Sequence, residues 1–289
     1  MAKISYSQYS MFATCPHQYK LKYIDKLGKS SGNVHTLFGT SMHSTIQHFL
    51  TVFYDKSATA AMLIDLDKLL LSNMRDEFVK ETTARDGNPI CSQEELEEFY
   101  GDGRRILTWL KKHIGKFYGN TGFELVGIEI PLNATIREGV NFIGYIDVAI
   151  REISDGTVHI IDLKTSTQGW NVYQKSDKLK NSQLILYKKF YSDLFGIPLT
   201  KIQIEYQIMR RKMPEDSMYP IPYISKHVPS NGSPSVNKTY TEFLEFIDSV
   251  FDEKGEYTTY SFPKQTGKAN KNCKFCEFKL RDLCDGKES

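Results

Sequence analysis

No apolar run in this 289-residue chain approaches the roughly 18–20 residues that a membrane-spanning helix requires. The N-terminus, MAKISYSQYSMFATCPHQYK, has none of the apolar core of a secretory signal. These two absences predict a soluble intracellular protein. No internal repeat and no low-complexity linker is present. A phosphate-cradling P-loop is missing as well. Gly28-Lys29-Ser30 has Tyr23 where the first glycine of that motif would stand, so the chain is not expected to be a motor. Cysteine is scarce, and five of them in an intracellular chain do not form a disulfide framework.

What is present can bury a large core. Hydrophobic residues make up 40% of the chain, enough for one elaborated domain or two small ones. The net charge of +2 is small but segregated. Lysines gather in residues 17–29 and 175–189, Arg210, Arg211 and Lys212 form a third group, and Lys264 to Arg281 a fourth. Acids gather at Glu94, Glu95, Glu97, Glu98 and Asp102. A near-neutral protein with this segregation can carry a basic stripe for phosphates, although a charge run is more often a solvated face.

Short helices are expected at 5–14 and 16–25, broken at Cys15-Pro16, with further helices over 38–53 and 60–80. Ser92-Gln93-Glu94-Glu95 is a capping-box signature that opens a helix to about Phe117. Strands are expected near 122–132, 140–152 and 157–164, a helix over 175–195, strands at 202–209 and 220–227, and a last helix over 236–253. The order predicts an α/β fold, a mixed sheet flanked by helices with a helical insertion near 50–120.

The most informative stretch is GYIDVAIREISDGTVHIIDLKT. Asp155-Gly156 between two alternating apolar runs is a hairpin signal. A two-residue turn would set Asp147 opposite Lys164, and Asp162 opposite Ala149. Period-2 alternation then puts Asp147, Asp162 and Lys164 on one side of the sheet. Ile146, Val148, Ile150, Ile161 and Leu163 would form the buried face. The plain alternative is an exposed Asp–Lys cross-strand pair, worth about 0.2–1 kcal/mol. Ala149 and Ile160 share the charged face, so it is not freely solvated, and acids there need a ligand or partner. Two acids and a lysine in this setting suit a metal site beside a positive charge.

Three of the cysteines form a C-x2-C-x7-C array, Cys273, Cys276 and Cys284. The pair Cys273/Cys276 suits a thiolate metal site, either zinc or iron–sulfur on spacing alone. Cys15 or Cys91 could supply a fourth ligand. Cys15 is framed by Pro16 on a turn, whereas Cys91 lies in a polar loop and reads as a free thiol. A site joining residue 15 to residues 273–284 would staple the two ends of the chain, closing a loop whose entropic cost makes the staple matter for stability.

In this combination the motifs resemble the PD-(D/E)xK nucleases, specifically RecB-type exonuclease domains with an iron–sulfur cluster. That group includes the nuclease domain of AddB and the exonucleases of CRISPR adaptation. The resemblance runs end to end: Ser5-Tyr6-Ser7 through Cys15-Pro16-His17-Gln18-Tyr19, Gly39-Thr40-Ser41-Met42-His43, Gly144-Tyr145-Ile146-Asp147, Ile161-Asp162-Leu163-Lys164, Gln183 with Tyr187, and the terminal cysteines. The gap from Cys276 to Cys284 is longer than the family's usual last spacing.

The resemblance implies a restriction-endonuclease-like fold in one nuclease domain, 1–289. Residues 1–37 and 256–289 would carry the iron–sulfur segments, 38–120 a helical region and 121–255 the catalytic core. It implies Mn²⁺ or Mg²⁺ held by His43, Asp147, Asp162 and the Leu163 carbonyl, and catalysis by Asp147, Asp162, Lys164, Gln183 and Tyr187. It further implies a [4Fe–4S] cluster on Cys15, Cys273, Cys276 and Cys284, in a bacterial, archaeal or phage-encoded cytoplasmic enzyme. The substrate would be DNA, single-stranded or with free ends, cut to leave a 5′-phosphate. A helicase, integrase or recombination partner, or assembly into a homo-oligomer, would go with it. Phosphate contacts are expected from the lysines at 20–29 and 175–189 and from 210–212, with Tyr19, Tyr23 and Tyr173 as base-stacking candidates. The alternatives are a DNA-processing subunit of a CRISPR-adaptation or helicase complex, or a non-catalytic DNA-binding module whose cluster is structural.

Overall fold

The computed structural model describes residues 1–28, 32–119, 121–214 and 218–287; Lys29 of the first basic group lies outside them. The elements in chain order begin with β1 (Ala2–Ile4), α1 (Tyr6–Thr14) and α2 (Pro16–Tyr19), which widens into a π turn over Lys20–Ile24. The helical region follows, with α3 (Val34–Asp55), α4 (Ala58–Met62), α5 (Leu66–Thr83) and α6 (Gln93–His113). Then come β2 (Phe123–Arg137), β3 (Val140–Glu152), β4 (Val158–Ser166), α7 (Val172–Ser176) and α8 (Lys178–Phe195). The chain continues through β5 (Ile202–Arg210), β6 (Ile224–His227), α9 (Ser233–Val250) and α10 (Glu277–Leu280).

Local chemistry sets these boundaries. Ser92 and Glu95 form the expected capping box of α6. A second box, Asn33 with Thr36, starts α3 four residues ahead of the expected helix. The helix expected over 60–80 is two helices, because Asp65 accepts from the Lys68 N–H and opens α5 afresh. β1 was not foreseen; three residues are too few to show a period.

The sheet order is β1-β3-β4-β5-β6, with β2 paired along β3. One edge of β3 is thus taken by β2. On its other edge, β1 pairs in parallel with residues 140–142 and β4 pairs antiparallel with residues 148–151. Residues 143–147 therefore lie in a notch between β1 and β4, with ladder partners on the β2 side alone. Both sheet faces are covered. Leu184, Phe190, Phe243 and Phe246 of α8 and α9 pack with Ile160, Ile204 and Ile208 on one face. Phe38, Ile46, Leu70 and Ile106 of the helical region pack with Val148, Ile150, Ile161 and Leu163 on the other. Ile146 belongs with the first group and not with Val148 and Ile150 as alternation predicts. The phase changes at Asp147. Among the described residues no helix is long and apolar enough to cross a membrane.

Candidate active site

The β3–β4 hairpin has four turn residues, not two. The Glu152 N–H donates to the Thr157 carbonyl at 2.9 Å, and Gly156 takes φ +76°. Asp155 organises the turn by accepting from the Thr157 N–H and hydroxyl, each at 2.9 Å. Val148 therefore pairs with Ile161, and the register sets Asp162, not Lys164, opposite Asp147. A shift of two residues leaves the paired residues 148–151 and 158–161 on their own faces.

The ladder stops at Val148–Ile161, just before the two aspartates. Like charges directly opposed repel, and a side chain takes over where the backbone pairing ends: Asp147 Oδ2 accepts from the Leu163 N–H at 2.8 Å. β4 continues alone against β5 as far as Ser166. The splayed strands open the notch in which the charged groups meet.

Helix α3 brings His43 to this notch, its Nδ1 3.5 Å from Asp147 Oδ2 and its ring within hydrogen-bonding reach of the Leu163 carbonyl. A group absent from the sequence reading completes the cluster. Glu129 of β2 joins His43 and Asp147, one ligand atom from each lying within 4.8 Å of the others. One turn after His43, Gln47 donates to Glu129 Oε1 at 2.5 Å and to the Asp147 carbonyl at 3.1 Å. Burial, with the charge of Asp162 second, holds the Asp147 carboxyl well above the usual range. Burial lowers His43, which favours the neutral imidazole that can ligate a cation.

Asp162 and Lys164 share the sheet face that α8 covers. Asp162 is 3% exposed. Its Oδ1 accepts from Lys164 Nζ at 3.0 Å, and its Oδ2 lies 2.7 Å from the same nitrogen. Burial pulls the Lys164 ammonium down, but the charges of Asp162 and Asp147 outweigh it and keep the lysine above its ordinary pKa. Gln183 and Tyr187 approach from α8, and Gln183 Nε2 is 3.4 Å from Tyr187 Oη. Gly144 makes room for this ring, since a Cβ there would lie 2.9 Å from Tyr187 Cε1. Tyr6 closes the site from α1, donating to the Leu179 carbonyl at 2.8 Å; burial pushes its hydroxyl up to about 12.

The family model of the PD-(D/E)XK nuclease superfamily matches residues 3–285. The chain belongs to the PD-(D/E)XK nuclease superfamily. Members are metal-dependent nucleases, and the mixed sheet between helices is consistent with their fold. No curated protein matches the chain.

Other parts of this PD-(D/E)XK chain depart from the sequence reading. Arg211 and Lys212, expected to meet phosphate, meet the acidic group of α6 instead. Arg211 Nη1 is 2.5 Å from Asp102 Oδ2, and Lys212 Nζ is 2.7 Å from Glu98 Oε1. Lys188 is buried against Asn231, and Lys20 pairs with Asp25 at 2.6 Å. Tyr19 is not a stacking platform. It is fully buried among Phe12, Phe246 and Phe262, with Tyr23 packed on it. Tyr173, 84% exposed on α7, is open to a partner, and Lys175 and Lys178 line a surface groove beside α8. Cys15, Cys273, Cys276 and Cys284 line one cavity as free thiols. Cys91 stands apart against the helical core.

Proposed function

We propose that the chain is a RecB-type DNA exonuclease acting on single-stranded ends, with a [4Fe–4S] cluster joining its N- and C-terminal segments in one domain. The observation that carries the reading is the meeting of His43, Glu129 and Asp147 in the notch, with the Asp162–Lys164 pair across the strands from them.

The donor set fits a hard divalent ion with tolerance for nitrogen, Mn²⁺ or Mg²⁺. Oxygens dominate it, and His43 is favoured neutral. His43, Asp147, Asp162 and the Leu163 carbonyl would hold the ion. When bound, such an ion polarises the scissile phosphate and makes water a better nucleophile. Lys164 stays charged between the two carboxylates, where it orients that water and offsets charge developing on phosphorus. Gln183 and Tyr187 hydrogen-bond the water or the DNA backbone, and Tyr173 stacks an unpaired base.

Four thiols lining a single cavity fit the cluster, and Lys264 and Lys279 beside them offset thiolate charge. A helicase, integrase or recombination partner would supply the translocation or strand selection for which the chain has no motor motif.

The test is cleavage of end-labelled single-stranded DNA with Mn²⁺ or Mg²⁺ by wild type and Asp162→Ala. Degradation that disappears in the variant, with DNA binding in EDTA retained, supports the nuclease. Loss of binding as well would make Asp162 a structural acid, and an inactive DNA-binding wild type would favour a non-catalytic module.

A further inference from the structure

We propose that a groove between α6 and the start of β6 is a second contact for the DNA strand, outside the notch, with phosphates on Arg104 and Lys112 and an unpaired base on Trp109 and Tyr223. This rests on the DNA-nuclease reading above. The groove holds about 450 Å³, and Arg104, Arg105, Thr108, Trp109, Lys112 and Tyr223 line it. Ligand sites occupy roughly 300–1,000 Å³. No acid stands among the lining residues.

Helix α6 is divided by charge. Its first half carries Glu94, Glu95, Glu97, Glu98 and Asp102, and its second half Arg104, Arg105, Lys111, Lys112 and His113. Cations in a last turn complement the helix dipole, which accounts for the final three on stability alone. It does not account for the two arginines, which lie more than two turns from the helix end. Asp102 holds Arg105 at the groove wall. Arg104 pairs with Asp67 at 2.6 Å, but their side chains are 52% and 35% exposed, and so open a pair yields to a phosphate. Lys111 turns away and donates to the Met62 and Ile64 carbonyls, whereas Lys112 stands exposed in the groove. Arg104 and Lys112 are about 12 Å apart along the helix, far enough to meet different phosphates of one strand.

Trp109 sits between them. His113 stacks on its ring at 4.1 Å and Phe117 meets it edge-on at 5.7 Å, so the indole is fixed in place while its free surface lines the groove with Tyr223. Aromatic rings interleaved with cations make a platform for unpaired bases. The bases of a duplex are already stacked on one another, which favours a single strand.

The groove is also placed to serve the notch. Tyr223 precedes Ile224, which pairs with Met209 of β5, and Met209 pairs with Thr165, the residue after Lys164. The groove wall thus stands two strands, about 10 Å, across the sheet from the end of β4 that carries Lys164. Trp109 and Tyr223 pack against the same apolar cluster as α3, the helix of His43. A strand seated here can run on into the notch.

The experiment is binding of oligothymidylate in EDTA, followed by tryptophan fluorescence in Trp170→Phe protein, where Trp109 is the one indole left. Arg104→Gln/Lys112→Gln on that background is the comparison. The strand is expected to quench Trp109. The double charge variant should bind at least tenfold more weakly at low salt while melting as its parent does. Its slope of log affinity against log salt should fall by about 1.4, two phosphates at about 0.7 each. With Mn²⁺, cleavage at saturating strand should keep its rate while KM rises. Parental affinity and salt slope in the charge variant overturn the proposal and leave the nuclease reading standing. So does Trp109 emission that bound oligothymidylate leaves unchanged, or a fall in saturated rate with KM unmoved. A parent protein that neither binds nor cuts the strand removes the nuclease reading itself, and this proposal with it.

Discussion

Replacing Asp102 by leucine should cost this fold about 3–5 kcal/mol, the range found when one member of a buried ion pair is removed. Asp102 has no exposed surface, and its carboxylate accepts from Arg105, Arg211 and Lys212. Arg211 is 6% exposed and lies over the Phe99 ring, 3.5 Å from its centroid. Leucine has nearly the shape of aspartate but leaves Arg211, among the described residues, with Glu98 alone as acidic partner, whose Oε1 is 3.5 Å away on a half-exposed side chain. The loss is a large part of a total stability of about 5–15 kcal/mol. At about 2–4 °C per kcal/mol for a chain of this order of size, it lowers Tm by about 6–20 °C. Asp102→Leu/Arg211→Met should recover most of it, since an apolar pair in place of a buried ion pair is often neutral or better. The assay is thermal and urea melting of both variants in EDTA. A single variant within about 1 kcal/mol of wild type, or a double variant no better than the single, would refute the reasoning. The rescued double variant should bind DNA as wild type does, because these cations are already paired with α6.

Asp147→Asn should stabilise the metal-free protein while removing Mn²⁺ binding. The buried Asp147 carboxyl keeps its proton above the value of 3.8 at which the unfolded chain loses it, so on its account stability falls as pH rises through that window. Melting in EDTA should show the gain at pH 8 and little at pH 4; no gain at pH 8 would refute it. Gly144→Ala should cost about 1–3 kcal/mol by overpacking, since the new Cβ meets Tyr187 and Phe142 at 2.9–3.1 Å. It should lower turnover with Mn²⁺ affinity unchanged, as titration and cleavage together would show. Cys276→Ser should bleach the brown colour expected of anaerobically purified protein and lower Tm, whereas a colourless, fully stable wild type would sink the cluster.

The faces of Asp162 and Lys164 were legible in the sequence because period-2 alternation survives the two-residue shift that Asp155 imposes on the turn. The register was not, since it depends on side-chain hydrogen bonds to Thr157 that a turn signal alone does not specify. His43 and the four cysteines were singled out by motif; His43 meets Asp147 and Glu129 without Asp162, and the four cysteines line one cavity. Glu129 carried no such signal: its place at the cluster depends on a positive φ inside a strand, where glutamate is ordinarily extended. Asp102 and Arg211 each read as members of surface charge runs. Their pairing depends on how α6 docks beside the end of β5, a contact between distant segments that no local pattern reports. Tyr19 was misread for a related reason, because a lysine- and tyrosine-rich helix looks the same whether its rings face solvent or a core.

The packing of Tyr19 on Phe246 and Phe262, and of the Cys15 loop on residues 263–284, sets an order of events during synthesis. The first helices leave the ribosome with Phe12 and Tyr19 bare, and the surfaces that cover them are made after all six strands. At about 5–20 residues per second the interval is on the order of ten to fifty seconds. Throughout it the nascent N-terminus is an apolar, aromatic segment open to chaperones or to self-association, and the thiol of Cys15 waits without its three companions. A ribosome that stalls short of residue 246 therefore releases a chain whose sheet can form but whose first helices have nothing to close upon.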